Sequence, residues 1–119
     1  MIIWIASYPK SGNTWIRSFL TAYYFCENGI FDINKLNLIE DYPNKQFFKE
    51  KVKQGEIHKH WETSQKNIRE QKKVKFLKTH NSLITAFGND FTKPEYTLGV
   101  IYVIRDPRNV ITSVKNHND

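Results

Sequence analysis

Three extended runs, Ile2–Ala6, Val74–Lys78 and Leu98–Ile104, each break off into a cluster of polar residues, and helical patterns lie between and after them. Strands that alternate with helical stretches build an α/β fold around a parallel sheet with right-handed crossovers. Ligands of such sheets collect outside the carboxyl ends of the strands. The polar clusters Ser7–Asn13, Thr79–Asn81 and Arg105–Asn109 all fall at those ends.

Hydrophobic spacing predicts the elements between the clusters. Ile16, Phe19, Leu20 and Tyr23 fall at i, i+3, i+4 and i+7, the spacing of one buried helical face, so a helix runs from about Thr14 to Glu27, where Asn28 and Gly29 stop it. Pro43 can start a second helix and Gly55 end it, with Phe47, Phe48 and Val52 inside, and a further one spans Trp61–Lys72 with Trp61 and Ile68 seven apart. The unbroken apolar run Leu98–Ile104 predicts a strand covered on both faces. Asp106 then caps a helix, Pro107 takes its first position, and Val110, Ile111 and Val114 form its inner face.

No repeat, low-complexity tract or linker divides the chain, so residues 1–119 read as one unit. At 39% hydrophobic and 25% charged residues it has the balance of a globular chain rather than a membrane span or a disordered tail. The apolar start Ile2–Ala6 is too short for a signal-peptide core or a membrane helix. Cys26, the single cysteine, can form neither an internal disulfide nor a cysteine metal cluster, which leads to the expectation of a reducing, cytoplasmic setting.

Charge is unevenly placed. Residues 41–80 carry eleven basic and five acidic side chains, whereas residues 1–40 carry three of each and residues 81–119 four of each. The whole net charge of +6 therefore lies in the middle. Such a segment is most simply a solvated, lysine-rich surface; the alternative is a non-catalytic module that binds anions or nucleic acid through it.

The segment Ser7-Tyr8-Pro9-Lys10-Ser11-Gly12-Asn13-Thr14-Trp15 joins a buried strand to a helix. A loop in that position aims unpaired N–H groups and the positive end of the helix dipole at whatever it encloses, which makes an anion site. Gly12 permits close backbone approach, Lys10 adds a mobile charge, and Ser11 and Thr14 add hydroxyl donors. No glycine opens the segment and its lysine precedes the glycine, so it departs from the G-x-x-x-x-G-K-[ST] order of nucleotide hydrolases and kinases. An ordinary turn with a surface lysine accounts for Gly12 but not for the whole string.

Tyr8–Trp15 closely resembles the phosphosulfate-binding loop, Y-P-K-S-G-T-T-W, of sulfotransferases that use 3′-phosphoadenosine 5′-phosphosulfate (PAPS), with Asn13 in place of a common threonine. Two further segments match that family in order. Lys78-Thr79-His80 resembles its K-T-H segment, whose histidine deprotonates the acceptor; Asn81-Ser82-Leu83 departs from the leucine-proline that often follows. Arg105 and Ser113, eight residues apart, resemble the arginine and serine that hold the 3′-phosphate, and about two helical turns separate them.

The resemblance implies a P-loop-like three-layer α/β/α fold around a central parallel sheet, and sulfuryl transfer from PAPS to a hydroxyl or amine on a small-molecule or glycan acceptor. Lys10 would stabilise charge on the leaving 5′-phosphate, His80 would take the acceptor's proton, and Lys78 would bind the sulfuryl oxygens or hold the acceptor side. Lys10, Ser11, Gly12, Asn13, Thr14, Trp15, Arg105 and Ser113 would hold the donor. No metal and no nucleic-acid partner is expected. Sulfotransferase domains are much longer than 119 residues, and their C-terminal R-K-G-x-x-G segment has no counterpart here. The chain is therefore expected to be the N-terminal part of one such domain, with an incomplete sheet, apolar surface left open where the remainder packs, and doubtful turnover on its own.

His58 and His60 stand two apart, on different sides of a helix, without a third ligand, and read as solvated. Trp4, Trp15 and Trp61 read as core or groove residues.

Overall fold

The computed structural model describes residues 1–48 and 52–118. Its centre is a four-stranded parallel sheet in the order β2-β3-β1-β6, formed by β1 (Ile2–Ser7), β2 (Glu40–Asp41), β3 (Lys75–Thr79) and β6 (Thr97–Val103). Helices α1 (Asn13–Phe25), α2 (Trp61–Glu70) and α3 (Pro107–Asn118) flank it, and a short hairpin, β4 (Thr85–Ala86) with β5 (Asn89–Asp90), stands apart from it. Register sets Ala6 opposite Thr79 on one side and Ser7 opposite Val103 on the other, so β1, β3 and β6 end together.

The core lies mainly on the α2 side. Ile2, Trp4, Tyr42, Trp61, Ile68, Leu77 and Phe91 form one buried cluster, with the Trp4 ring 5.2 Å from that of Phe91 and 5.3 Å from that of Tyr42. Ile2 and Leu77 are fully buried, each side chain contributing about 1.5–3 kcal/mol by leaving water. Consecutive Trp4 and Ile5 point to opposite faces and both are buried, so β1 is covered on both sides.

A directed chain of hydrogen bonds ties α2 to the sheet. The Trp4 indole N–H donates to Thr97 Oγ1 at 3.0 Å, Thr97 and Thr92 hydroxyls meet at 2.9 Å, and Thr92 donates to Gln65 Oε1 at 2.6 Å. Gln65 Nε2 donates onward to the Phe91 carbonyl at 2.6 Å and to Tyr42 Oη at 3.3 Å. Because Ser64 Oγ gives its proton to the Trp61 carbonyl at 2.9 Å, Tyr42 donates to Ser64 across 2.7 Å.

Several sequence expectations need correction. Helix α1 does not bury Phe19 and Tyr23, which are 57% and 78% exposed; it buries Asn13, Arg17 and Thr21, one polar row at i, i+4, i+8. The helix is turned by roughly a quarter turn from the predicted face, because Asn13 and Arg17 find backbone acceptors on the sheet side. Arg17 donates to the Ile39 and Leu36 carbonyls at 2.6 and 3.2 Å. Trp15 is likewise outside, 66% exposed and stacked edge-on against Phe19. The helix also ends at Phe25, where Cys26 turns to extended backbone, two residues short of the expected Glu27.

Strand β6 is covered on one face only: Leu98, Val100 and Tyr102 are exposed. On α3, Val110 is buried but Ile111 is 70% exposed and Val114 also stands out. The expected helix from Pro43 to Gly55 is replaced, in the described residues, by 3₁₀ turns at Lys45–Phe47 and Gln54–His60 and non-helical backbone at 43–44, 48 and 52–53; residues 49–51 lie outside the described residues.

Candidate active site

The carboxyl edge of the sheet gathers the three motif segments. After β1 the chain turns at Tyr8–Gly12, where the Ser11 N–H donates to the Tyr8 carbonyl at 3.3 Å. Lys10 and Gly12 both have left-handed backbone, with φ of 65° and 100°. Glycine adopts that region without cost, whereas a lysine there is held against its preference, a type of strain that gathers at ligand sites. Helix α1 then begins with no side-chain cap and no acidic residue in its first turn. Its leading N–H groups and the positive dipole end are thus left for an anion.

Arg105, two residues beyond β6, reaches back to this loop: its Nη1 donates to the Lys10 carbonyl at 3.0 Å. Asp106 starts α3 as expected, accepting from the Arg108 N–H at 2.9 Å, and is also clamped by the Arg108 guanidinium at 2.7 Å. The bond from Arg108 is the main cause that holds the Asp106 carboxyl below its usual range. Ser113 is carried, partly buried, on α3 and enters none of the bonds that join the three segments among the described residues.

His80 follows β3. Its Nδ1 lies 2.7 Å from the Ser7 carbonyl oxygen and 3.4 Å from Ser7 Oγ, so the histidine and the phosphate-type loop meet at one residue. Lys78 sits apart from them, partly buried and paired with Asp41 at 3.2 Å, beside Arg17, which lies 3.7 Å from the same carboxylate oxygen.

Two open cavities flank Tyr8 and Tyr102. One of about 310 Å³ is lined by Ser11, Arg105, Pro107 and Val110. The other, about 580 Å³, is lined by Trp4, Ala6, Thr79, His80, Leu83 and Val100. The arrangement puts cationic and N–H donors beside the smaller cavity and an imidazole beside the larger, apolar one.

The family model described as the sulfotransferase domain matches residues 2–119. The chain belongs to the sulfotransferase family. No curated protein and no solved structure matches it. Its sheet is the central parallel sheet the resemblance implies. No described helix is long and apolar enough to cross a membrane.

Sequence reading missed two members of the candidate site region, Ser7 and Asp41, which carry no motif signal of their own. Asn13, expected to help hold the donor, also bonds the Ile5 carbonyl and Ser7 Oγ. His58 and His60 are partly buried rather than solvated: the His58 ring lies 5.0 Å from that of Phe87 and the His60 ring 6.0 Å from that of Phe48. No group of three or more metal-ligating side chains occurs among the described residues.

Proposed function

We propose that the chain binds PAPS and takes part in transferring its sulfuryl group to a hydroxyl or amine of a small-molecule or glycan acceptor. The observation that carries this reading is the contact of Arg105 with the Lys10 carbonyl, which joins the two donor motifs at one end of the sheet. The residues present fit such a ligand. An uncapped helix start free of acidic side chains, a loop with left-handed Lys10 and Gly12, and a guanidinium beside them suit a polyanion. PAPS supplies the activated sulfuryl group. Lys10, Ser11, Gly12, Asn13, Thr14 and Trp15 would hold its 5′-phosphosulfate end, and Arg105 with Ser113 its 3′-phosphate.

Transfer breaks the bond between sulfur and the 5′-phosphate oxygen and makes one from the acceptor's oxygen or nitrogen to the same sulfur. The acceptor's proton passes to His80, and adenosine 3′,5′-bisphosphate leaves. Lys10 and the loop N–H groups stabilise charge on the leaving phosphate, as fixed donors do when charge grows beside them. Lys78 would exchange Asp41 for the sulfuryl oxygens or hold the acceptor side. The open apolar row Leu98, Val100 and Tyr102 supports the further proposal that residues 1–119 form the donor-binding part of a larger domain. The lone Cys26 supports a cytoplasmic setting.

Calorimetry with adenosine 3′,5′-bisphosphate tests the reading. Binding by the chain, weakened about tenfold or more by Lys10→Ala, is expected from the loss of a charge-assisted contact. No binding, or equal binding by the variant, would overturn it.

A further inference from the structure

Asn13 stands where the resembling loops carry threonine, and it is buried, 5% exposed. Its Nδ2 donates to the Ile5 carbonyl at 3.1 Å and to Ser7 Oγ at 3.0 Å, while Oδ1 is buried without a partner. A carbonyl only accepts, so the atom facing Ile5 is the amide nitrogen and the orientation of Asn13 is settled. Two of its bonds thus fasten the last three residues of β1 to the start of α1.

Ser7, held in this way, meets His80. A ring nitrogen 2.7 Å from a carbonyl oxygen must carry the proton, because two lone pairs at that distance repel. Neutral His80 is then protonated on Nδ1 and keeps its lone pair on Nε2. The tautomer of a histidine is set by the bond its other nitrogen makes.

We propose that Asn13 is a positioning residue for the candidate base: by fixing Ser7 at the end of β1 it holds His80 in the Nδ1–H tautomer, with Nε2 free to accept a proton from the acceptor. This rests on reading His80 as the base of a sulfotransferase. The Asn13 side chain bonds the Ile5 carbonyl and Ser7 Oγ rather than the imidazole, and a threonine at the same place offers one donor hydroxyl where the amide offers two hydrogens.

Long-range ¹H–¹⁵N NMR of the ring nitrogens tests it on the full chain without donor or acceptor, at a pH where His80 is neutral, with His80→Gln assigning the signals. The wild-type chain is expected to show Nδ1–H. Asn13→Ala is expected to shift His80 towards the Nε2–H form that unconstrained imidazoles favour. Wild-type Nε2–H, or an unchanged tautomer in a folded Asn13→Ala, would overturn the proposal. If Asn13→Ala does not fold, Asn13→Ser decides: partial loss of Nδ1–H is expected, and no loss overturns. Bisphosphate binding is read separately, so a failed donor site and a failed tautomer lock give different results.

Discussion

Arg105 Nη1 donates to the Lys10 carbonyl at 3.0 Å, joining residues ninety-five positions apart at the carboxyl edge of the sheet. The contact uses one arm of the guanidinium, and the other N–H groups of the fork stay available to a phosphate.

Replacing Arg105 should therefore weaken adenosine 3′,5′-bisphosphate binding and do little to folding, since the residue is exposed. A charge-assisted hydrogen bond contributes about 1.5–3 kcal/mol, so Arg105→Ala is expected to lose roughly tenfold to a hundredfold in affinity. Arg105→Lys should recover only part, because it restores the charge without the fork. Titration calorimetry measures this, and equal affinity in all three chains would remove Arg105 from the site.

The strand ends were legible because the extended runs give way to polar clusters at Ser7, Thr79 and Arg105, and because the three motifs keep their spacing without help from distant residues. The rotation of α1 was not. Periodicity assumes that the apolar row seeks the core, whereas Arg17 and Asn13 are drawn inward by carbonyls of Ile39 and Ile5, which sequence spacing does not reveal. For the same reason the Ser7–His80 contact was hidden: it joins positions seventy-three apart. In the lysine-rich middle, Lys59 and Lys75 pair with Glu56 and Glu40.

Arg17 shows which of two effects anchors the segment before β2. Its side chain is 9% exposed and bonds two carbonyls, while Asp41 lies 3.7 Å off and is 57% exposed. Burial lowers the guanidinium's proton affinity and Asp41 opposes that, yet an arginine stays charged. Arg17→Met strands the Ile39 carbonyl, whereas the Leu36 carbonyl keeps the Ile39 N–H, and is expected to cost about 1–3 kcal/mol. Asp41→Asn removes screened pairs with Arg17 and Lys78 and should cost under about 1 kcal/mol. Urea unfolding of both variants checks the order; equal costs would assign the anchoring to the ion pair.

Gln65 is the junction of the buried polar chain between Trp4 and Trp61. Gln65→Leu keeps the volume but leaves the Phe91 carbonyl and the Thr92 hydroxyl without their partner. The buried Phe91 carbonyl left unpaired costs about 1–3 kcal/mol, the Thr92 hydroxyl still meeting Thr97, whereas Lys66→Ala on the exposed side of α2 should stay within about 0.5 kcal/mol. Thermal unfolding followed by circular dichroism distinguishes them, and a Gln65→Leu chain as stable as the parent would show that the chain of bonds contributes nothing net.

Tyr42 makes the same network sensitive to alkaline pH. Burial is the main cause that raises its phenol above the usual value, and the bonds with Ser64 and Gln65 oppose this only in part. The unfolded phenol ionises near pH ~10, and above that pH the folded chain holds a proton that the unfolded chain has released. Its contribution to stability is therefore complete below pH ~10 and falls as pH rises towards the folded value. Tyr42→Phe deletes one hydroxyl whose loss leaves Ser64 donating to Trp61 and Gln65 to Phe91, so it should cost only about 1 kcal/mol at pH ~8. The gap between parent and variant should then narrow at pH ~11, because the variant has no phenol at this position to ionise. Urea unfolding at the two pH values measures the gap; a constant gap would mean that Tyr42 keeps its ordinary proton affinity in the fold, and a widening one that the fold lowers its pKa, and either overturns the prediction.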